Sequence, residues 1–197
     1  MGFLSLIKLE GNKIMLDLLK QRRSIRKFQQ KPIEEEKVEA LKKSLLLAPS
    51  SRNIKPLEFI FLKDKEALSD ISKCKPHGGI FIKDAALAVV ILGDEDKSDV
   101  WVEDASIASI ILQLEAESLG LGSCWSQIRN RSYDENKMAE DYIKEKLNIK
   151  ENYKVESIIA IGYKDEVKEP ISEEKLDFDK IHVNKFILSL IHISEPT

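Results

Sequence analysis

The chain has 197 residues, 43% hydrophobic and 33% charged, which fits a folded soluble domain and excludes a disordered one. With 31 Lys and Arg against 34 Asp and Glu, the net charge is −3, so no basic excess supports wholesale binding of a phosphate backbone, and nucleic acid is not an expected partner. Cys74 and Cys124 are far apart and match neither zinc-site nor C-x-x-C spacing, so a disulfide framework and a cysteine metal cluster are both excluded and reduced thiols in a cytoplasmic protein are expected.

The length suits about one domain at about 150 residues per domain. No apolar run approaches the roughly 20 residues needed to cross a bilayer, so no membrane partner is expected. The start, Met1 to Lys8, is apolar but lacks a basic n-region and a small-residue cleavage site, and Leu6 stands where myristoylation wants Ser or Thr. Met15 opens a segment that reads as the natural start of the domain. Residues 15–186 are taken as a single domain, with 1–14 and 187–197 as terminal extensions. The apolar tail from Ile187 reads either as an arm docking on a partner subunit or as sequence foreign to the domain.

In chain order, Met15–Gln21 has Leu16 and Leu19 at helical spacing and leads into a basic cluster, Arg22-Arg23-Ser24-Ile25-Arg26-Lys27-Phe28. Pro32 followed by Glu34, Glu35 and Glu36 marks a helix N-terminus, with acids placed to meet the dipole. Val38, Leu41 and Leu45 continue that helix, which should stop at Ala48 because Pro49 disfavours the α conformation before it. Pro49–Asn53 is then a loop, Leu57–Leu62 a strand and Lys65–Lys73 a short helix. Ala85–Leu92 is an unbroken apolar run of strand length, expected to be buried on both faces and ended by Gly93.

Trp101–Leu119 is the clearest helix, with Val102, Ala105, Ala108, Ile111, Leu112 and Leu119 in one stripe and Gly120 as its stop. Ile107, Ile110 and Leu114 make it apolar over much of its circumference, so it should be a central core helix or a subunit interface. Leu121–Trp125 reads as a short extended turn, Asn136–Leu147 as a helix with Met138, Tyr142 and Leu147 inward, and Val155–Ile161 as a strand closed by Gly162. Lys164–Phe186 is charged and holds Pro170, more like an arm than a core element. Few strands interleaved irregularly with helices give an α+β class.

Three segments could carry chemistry. Arg22, Arg23, Ser24 and Arg26 offer rigid guanidinium forks and a hydroxyl that can surround one phosphate or a polyol chain; alone they also read as a solvated basic turn. Pro49, Ser50, Ser51 and Asn53 offer backbone N–H groups, two hydroxyls and an amide that suits the edge of a heterocycle, or simply form a polar loop. Gly120-Leu121-Gly122-Ser123-Cys124-Trp125 could let the main chain lie against a flat ring, or could be a helix C-cap and turn. It is not G-x-G-x-x-G. His77, His182 and His192 form no spaced pair, and no metal site is expected. Glu103 and Asp104 read as capping or surface carboxylates and Cys124 as a packed thiol; no catalytic side chain is assigned.

Taken together and in this order, these segments, with Pro56 and Ile159-Ala160-Ile161-Gly162-Tyr163, resemble the nitroreductase family of flavin enzymes over roughly Met15 to Phe186. The resemblance implies a nitroreductase-like fold, a mainly antiparallel mixed sheet flanked by helices, in an intertwined homodimer with noncovalent FMN at the subunit interface. It implies that Arg22, Arg23, Ser24 and Arg26 hold the phosphate and ribityl chain. Pro49, Ser50 and Ser51 would line the site from the second subunit, Asn53 would contact the ring, and Gly122 and Ser123 would pass close to it. Lys175 is the nearest late-chain match to a basic residue on the phosphate. The implied activity is ping-pong hydride transfer from NADH or NADPH through FMN to nitroaromatic, quinone or related acceptors. Lys55 stands where many members carry Gln, and Gln127-Ile128 where some carry an acid and a glycine beside the flavin, departures that bear on substrate and donor preference. The alternatives are enone reduction or dehalogenation on the same scaffold, a flavin-binding dimer without turnover, and a flavin-free α+β protein with a basic loop.

Overall fold

A computed structural model of the chain describes residues 15–186; the extensions at 1–14 and 187–197 lie outside the described residues. Residues 15–21 are helical (α1). There follow α2 (Glu35–Leu46), β1 (Leu57–Leu62), α3 (Lys65–Ile71), β2 (Leu87–Asp94), α4 (Trp101–Ser118), β3 (Gly122–Gln127), α5 (Ala139–Leu147) and β4 (Tyr153–Gly162). The strands lie in the order β1-β2-β4-β3, and every neighbouring pair is antiparallel.

The apolar run around Val89 explains this order. Every residue of β2 is buried, so the strand needs cover on both faces and a neighbour on both edges. One face packs Ala88, Val90 and Leu92, with Ile158 and Ala160 of β4, against Ile71 of α3 and Ile143 of α5. The other packs Leu87, Val89 and Ile91, with Ile159 and Ile161, against Leu41 and Leu45 of α2 and Ala105, Ala108, Leu112 and Ala116 of α4. The alanines let α4 lie close on the sheet, and truncating the fully buried Leu112 to Ala there would cost about 2–5 kcal/mol. Ser109 and Ser157, both fully buried, face one another across this contact with their hydroxyl oxygens 3.3 Å apart.

The stop after α4 is as the sequence indicates. Gly120 has a φ of 75°, and the N–H of Leu121 reaches back to the Ala116 carbonyl at 2.9 Å. Three elements differ. β2 does not end at Gly93 but runs on to Asp94; a Cβ on Gly93 would lie 2.4 Å from the Trp101 ring, so this glycine seats an indole rather than stopping a strand. The segment read as an extended turn is β3, a strand paired along its length with β4, because its partner is distant in sequence and its own polar residues show no alternation. Helix α5 starts at Ala139, leaving Met138 at the cap and 42% exposed rather than inward, because the residues before it are held by a local turn in which Tyr133 donates to the Lys137 carbonyl at 2.8 Å. Beyond β4 the chain is an arm with two single 3₁₀ turns, Glu173–Lys175 and Phe178–Lys180, as expected from its charge.

β4 carries one extra residue against β2. Ile91 pairs with Ser157 and Leu92 with Val155, so Glu156 is a bulge. Its side chain is buried; Oε1 accepts from Gln127 Nε2 at 3.1 Å, and Oε2 has no partner among the described residues. Burial pushes this carboxyl above its ordinary range, against the opposing effects of the Gln127 hydrogen bond and Arg129. A raised folded-state value favours the neutral form, so this contribution to stability is full at acid pH and is lost as pH rises through that value.

Two outcomes are expected in denaturant titrations. Gly93→Ala loses about 1–3 kcal/mol through overpacking against Trp101. Glu156→Gln gains about 1 kcal/mol at neutral pH, and the gain vanishes below the ordinary carboxylate range, where Glu156 is already neutral.

Candidate functional site

The basic turn is held by its two apolar residues. Ile25 is buried and donates its N–H to the Ser123 carbonyl at 2.9 Å, while Ser24 and Ser123 form a parallel bridge. Phe28 is buried and bridges Lys164, and Gln29 donates to the Tyr163 carbonyl at 2.9 Å. Glycines make the room. A Cβ on Gly122 would lie 2.9 Å from Ile25 Cβ, and one on Gly162 would lie 2.9 Å from Phe28 Cδ1. With Ile25 and Phe28 turned inward, Arg22, Arg23 and Ser24 are half-buried and Arg26 is exposed. Gly122 thus lies close to another surface, as its sequence suggests, but the neighbours seen are Ile25 and Lys164 of the same chain.

The start of the arm grips this turn from the other side. Glu166 Oε1 accepts the N–H groups of Arg26 and Lys27, and these bonds hold its carboxyl below the usual range. Lys168 Nζ donates to the Ser24 carbonyl and pairs with Glu166 at 3.6 Å. Arg23 donates to the Glu169 carbonyl. An open groove of about 610 Å³ results, lined by Arg23, Ile25, Lys164, Glu166 and Lys168. Among the described residues, no carboxylate pairs with the guanidinium of Arg22 or Arg26; the latter lies 5.9 Å from the centre of the Phe81 ring. Lys175 sits further along, exposed in the first arm turn, where Glu173 pairs with Lys20 at 2.6 Å. Lys168 is the late-chain cation seated against Ser24. Sequence reading missed it because nothing in that charge-rich stretch separates it from its neighbours.

The second group, Pro49 to Asn53, is built differently. Ser51 donates its N–H to Asp104 Oδ1 at 2.9 Å, and Lys55 donates its N–H to Ser50 Oγ at 2.8 Å. Arg52, Asn53 and Lys55 all have left-handed backbones, with φ of 51°, 56° and 53°. Such conformations are strained for residues with a Cβ and cluster at functional positions. Pro49, Ser50 and Ser51 line a shallow, mainly apolar groove with Val100, Glu103, Asp104 and Ile107.

The two groups lie at opposite ends of α4. Asp104 meets the loop in its first turn, while Glu117 pairs with Lys164 at 2.5 Å in its last. At about 1.5 Å per residue these contacts are about 20 Å apart along the axis. The chain therefore brings Arg22, Arg23, Ser24 and Arg26 together with Gly122 and Ser123. It does not bring Pro49, Ser50, Ser51 or Asn53 to them.

Near the turn, burial pushes the Cys124 thiol up, despite nearby Arg26 and Lys168, which keeps it a neutral packed group. Lys75 is half-buried, its pKa lowered by burial, and donates to the Gln127 carbonyl at 2.8 Å; sequence reading did not single it out. The Gln127 side chain accepts from the Trp125 indole at 2.9 Å. Among the described residues no cluster of His, Cys, Asp or Glu could hold a metal ion, and no helix is long and apolar enough to cross a membrane. The arrangement offers cations and hydrogen-bond donors suited to an anionic, polar ligand rather than a nucleophile with its base.

The nitroreductase family model matches residues 19–77 and 75–163. An FMN-dependent nitroreductase from Clostridium difficile R20291 superposes with a TM-score of 0.86 at 50% identity, over 87% of this chain and 100% of that one. An Archaeoglobus fulgidus protein, provisionally named NADH dehydrogenase/NAD(P)H nitroreductase, is 34% identical over 175 residues, 87% of this chain and 98% of its own. A Methanothermobacter thermautotrophicus protein with the same provisional name is 33% identical over 174 residues, 87% of each chain. With the fold, the seated basic turn and these likenesses agreeing, the chain belongs to the nitroreductase family.

Proposed function

We propose that this protein is a cytoplasmic FMN-dependent oxidoreductase in which residues 15–186 act as one domain. In this reading it uses NADH or NADPH to reduce nitroaromatic, quinone or related acceptors. The observation that carries it is the turn Arg22–Arg26, whose guanidinium groups at positions 22 and 26 have no carboxylate partner among the described residues while the backbone beneath them is locked to β3. Unpaired arginines on a rigid base fit a phosphate, and the Ser24 hydroxyl adds a donor for the phosphate or ribityl chain. The relatives' names supply the rest: FMN from the Clostridium difficile protein and NAD(P)H from the archaeal ones.

FMN, when bound, would supply the redox chemistry, hydride transfer between a nicotinamide and an acceptor in a ping-pong scheme. The protein's residues bind and orient. Arg22, Arg23, Ser24 and Arg26 hold the phosphate end, with Lys168 and Lys175 as late-chain cations on the same side. Gly122 and Ser123 back the turn. Pro49, Ser50 and Ser51 line the ring's slot and Asn53 hydrogen-bonds its edge, all four from a second protomer. Hydrogen-bond donors from this loop would tune the ring's affinity for electrons.

A homodimer is part of this reading, and the 20 Å separation of the two groups supports it, since two copies related by a two-fold axis can bring one protomer's loop to the other's turn. Apolar exposure supports it. Leu46 and Leu47 at the end of α2 are 70% and 82% exposed, and Ile107 and Ile110 face outward from α4. On the arm, Phe178, Ile181, Val183 and Phe186 are 67–73% exposed. Such apolar surface marks an interface.

The test is the visible spectrum of the purified protein before and after anaerobic NADH and then NADPH. Flavin bands that bleach are expected. Bands that persist with both donors indicate a flavin carrier without turnover, and a colourless protein that takes up no added FMN overturns the reading. Arg22→Ala should weaken FMN binding by about 10-fold or more, the loss of a charge-assisted hydrogen bond; full FMN content in the purified variant would contradict the assignment.

A further inference from the structure

We propose that Asp104 is a positioning residue for the cofactor site: its carboxylate locks loop 49–55 in the strained shape that presents Ser50, Ser51 and Asn53. The inference rests on the flavin reading of those three residues. The burden on the loop is plain from its backbone. Three non-glycine residues, Arg52, Asn53 and Lys55, hold left-handed conformations within four positions, and such a set persists only where the surroundings over-determine it.

Few contacts can do so. The Lys55 N–H to Ser50 Oγ bond closes the loop on itself and fixes nothing outside it. The Arg52–Asp99 pair is exposed on both sides, 67% and 81%, where ion pairs hold weakly. Asp94 donates to the Pro56 carbonyl only at the loop's far end. The bond from Ser51 N–H to Asp104 Oδ1 ties the front of the loop to the core, because Asp104 is 3% exposed and its neighbours Ala105 and Ala108 are fully buried against the sheet. Ser51 begins a 3₁₀ turn, so its N–H has no partner within that turn, and a carboxylate supplies a charge-assisted one.

The second oxygen of Asp104 sharpens the argument. Oδ2 is buried without a hydrogen-bond partner among the described residues. A buried carboxylate with one idle oxygen is costly, so its place in the first turn of α4 is explained by what the other oxygen holds. It also makes the role separable. Asn at this position keeps an oxygen for Ser51 and places its amide where no bond is lost; Ala removes the tie.

FMN is titrated into the full-length apo-protein, following flavin fluorescence and the visible circular dichroism of the bound ring, for wild type, D104A and D104N. D104A should bind FMN about 10-fold or more weakly with an altered dichroism band, and D104N should bind within about 3-fold of wild type with the native band, as expected for losing the Ser51 bond or keeping it in neutral form. Native affinity and band in D104A, or a D104N as impaired as D104A, would overturn the proposal. Should D104A fail to fold, S51P removes the same N–H from the other side, and S51A keeps it as the control. S51P weaker than S51A supports the proposal, and equal binding sinks it. Amide exchange of residues 50–55 in the apo-proteins reads the same bond without flavin: protection lost in D104A and kept in D104N. A wild type that takes up no FMN would defeat the flavin reading, while the exchange result would still decide whether Asp104 holds the loop.

Discussion

Two missing side chains decide where the basic turn lies. Gly122 in β3 and Gly162 at the end of β4 leave the strands bare at neighbouring, paired positions, and Ile25 and Phe28 fill the space. Any larger residue at either place would push the turn off the sheet. Because the turn is pressed down by apolar packing and by backbone bonds to Ser123 and Tyr163, the side chains of Arg22 and Arg26 need make no contact to hold it there. Their charge stays free for a ligand. The arm completes the grip through Glu166 and Lys168, which bind the turn's main chain and leave the side chains of Arg22 and Arg26 unpaired among the described residues.

The same economy governs the loop proposed as the other half of the site. Helix α4 is the ruler that separates the two halves, and it is rigid because its alanines lie flat on the sheet. A site assembled from both ends of one helix cannot be closed by bending that helix. It can be closed by a second copy. In the proposed dimer, the outward-facing Ile107 and Ile110 and the apolar residues of the arm would be buried as loop and turn come together.

Much of this was legible beforehand. The run from Leu87 to Leu92 has no polar residue, so its burial on both faces could be read directly, as could α4 from its stripe and its closing glycine. β3 was not legible, because Gly122, Ser123 and Ser126 give no alternating pattern and its pairing partners lie 30 to 40 residues on. Gly93 and Gly122 were visible as glycines, but which atoms would occupy the empty space depends on packing that only the folded chain displays. The candidate site was legible as a set of residue types in order. Lys168 and Asp104 were not distinguished, since one lies in a stretch full of charge and the other looks like any acid in a helix's first turn. What singles them out is a contact: a cation on the Ser24 carbonyl, and a buried carboxylate on the Ser51 N–H.

That pattern has a chemical reason. In an enzyme whose cofactor carries the reaction, the protein has no need of a nucleophile with its base, and the thiol nearest the turn is kept neutral by burial. The polar groups with the most constrained geometry serve main chain instead. Glu166 binds two N–H groups, Lys168 a carbonyl and Asp104 an N–H. Each fixes a loop that carries side chains of the proposed site. Precision is therefore placed one layer behind the site, in side chains that hold main chain rather than ligand. Exposed Arg26 and half-buried Arg22 can then vary in contact without loss of the turn's position.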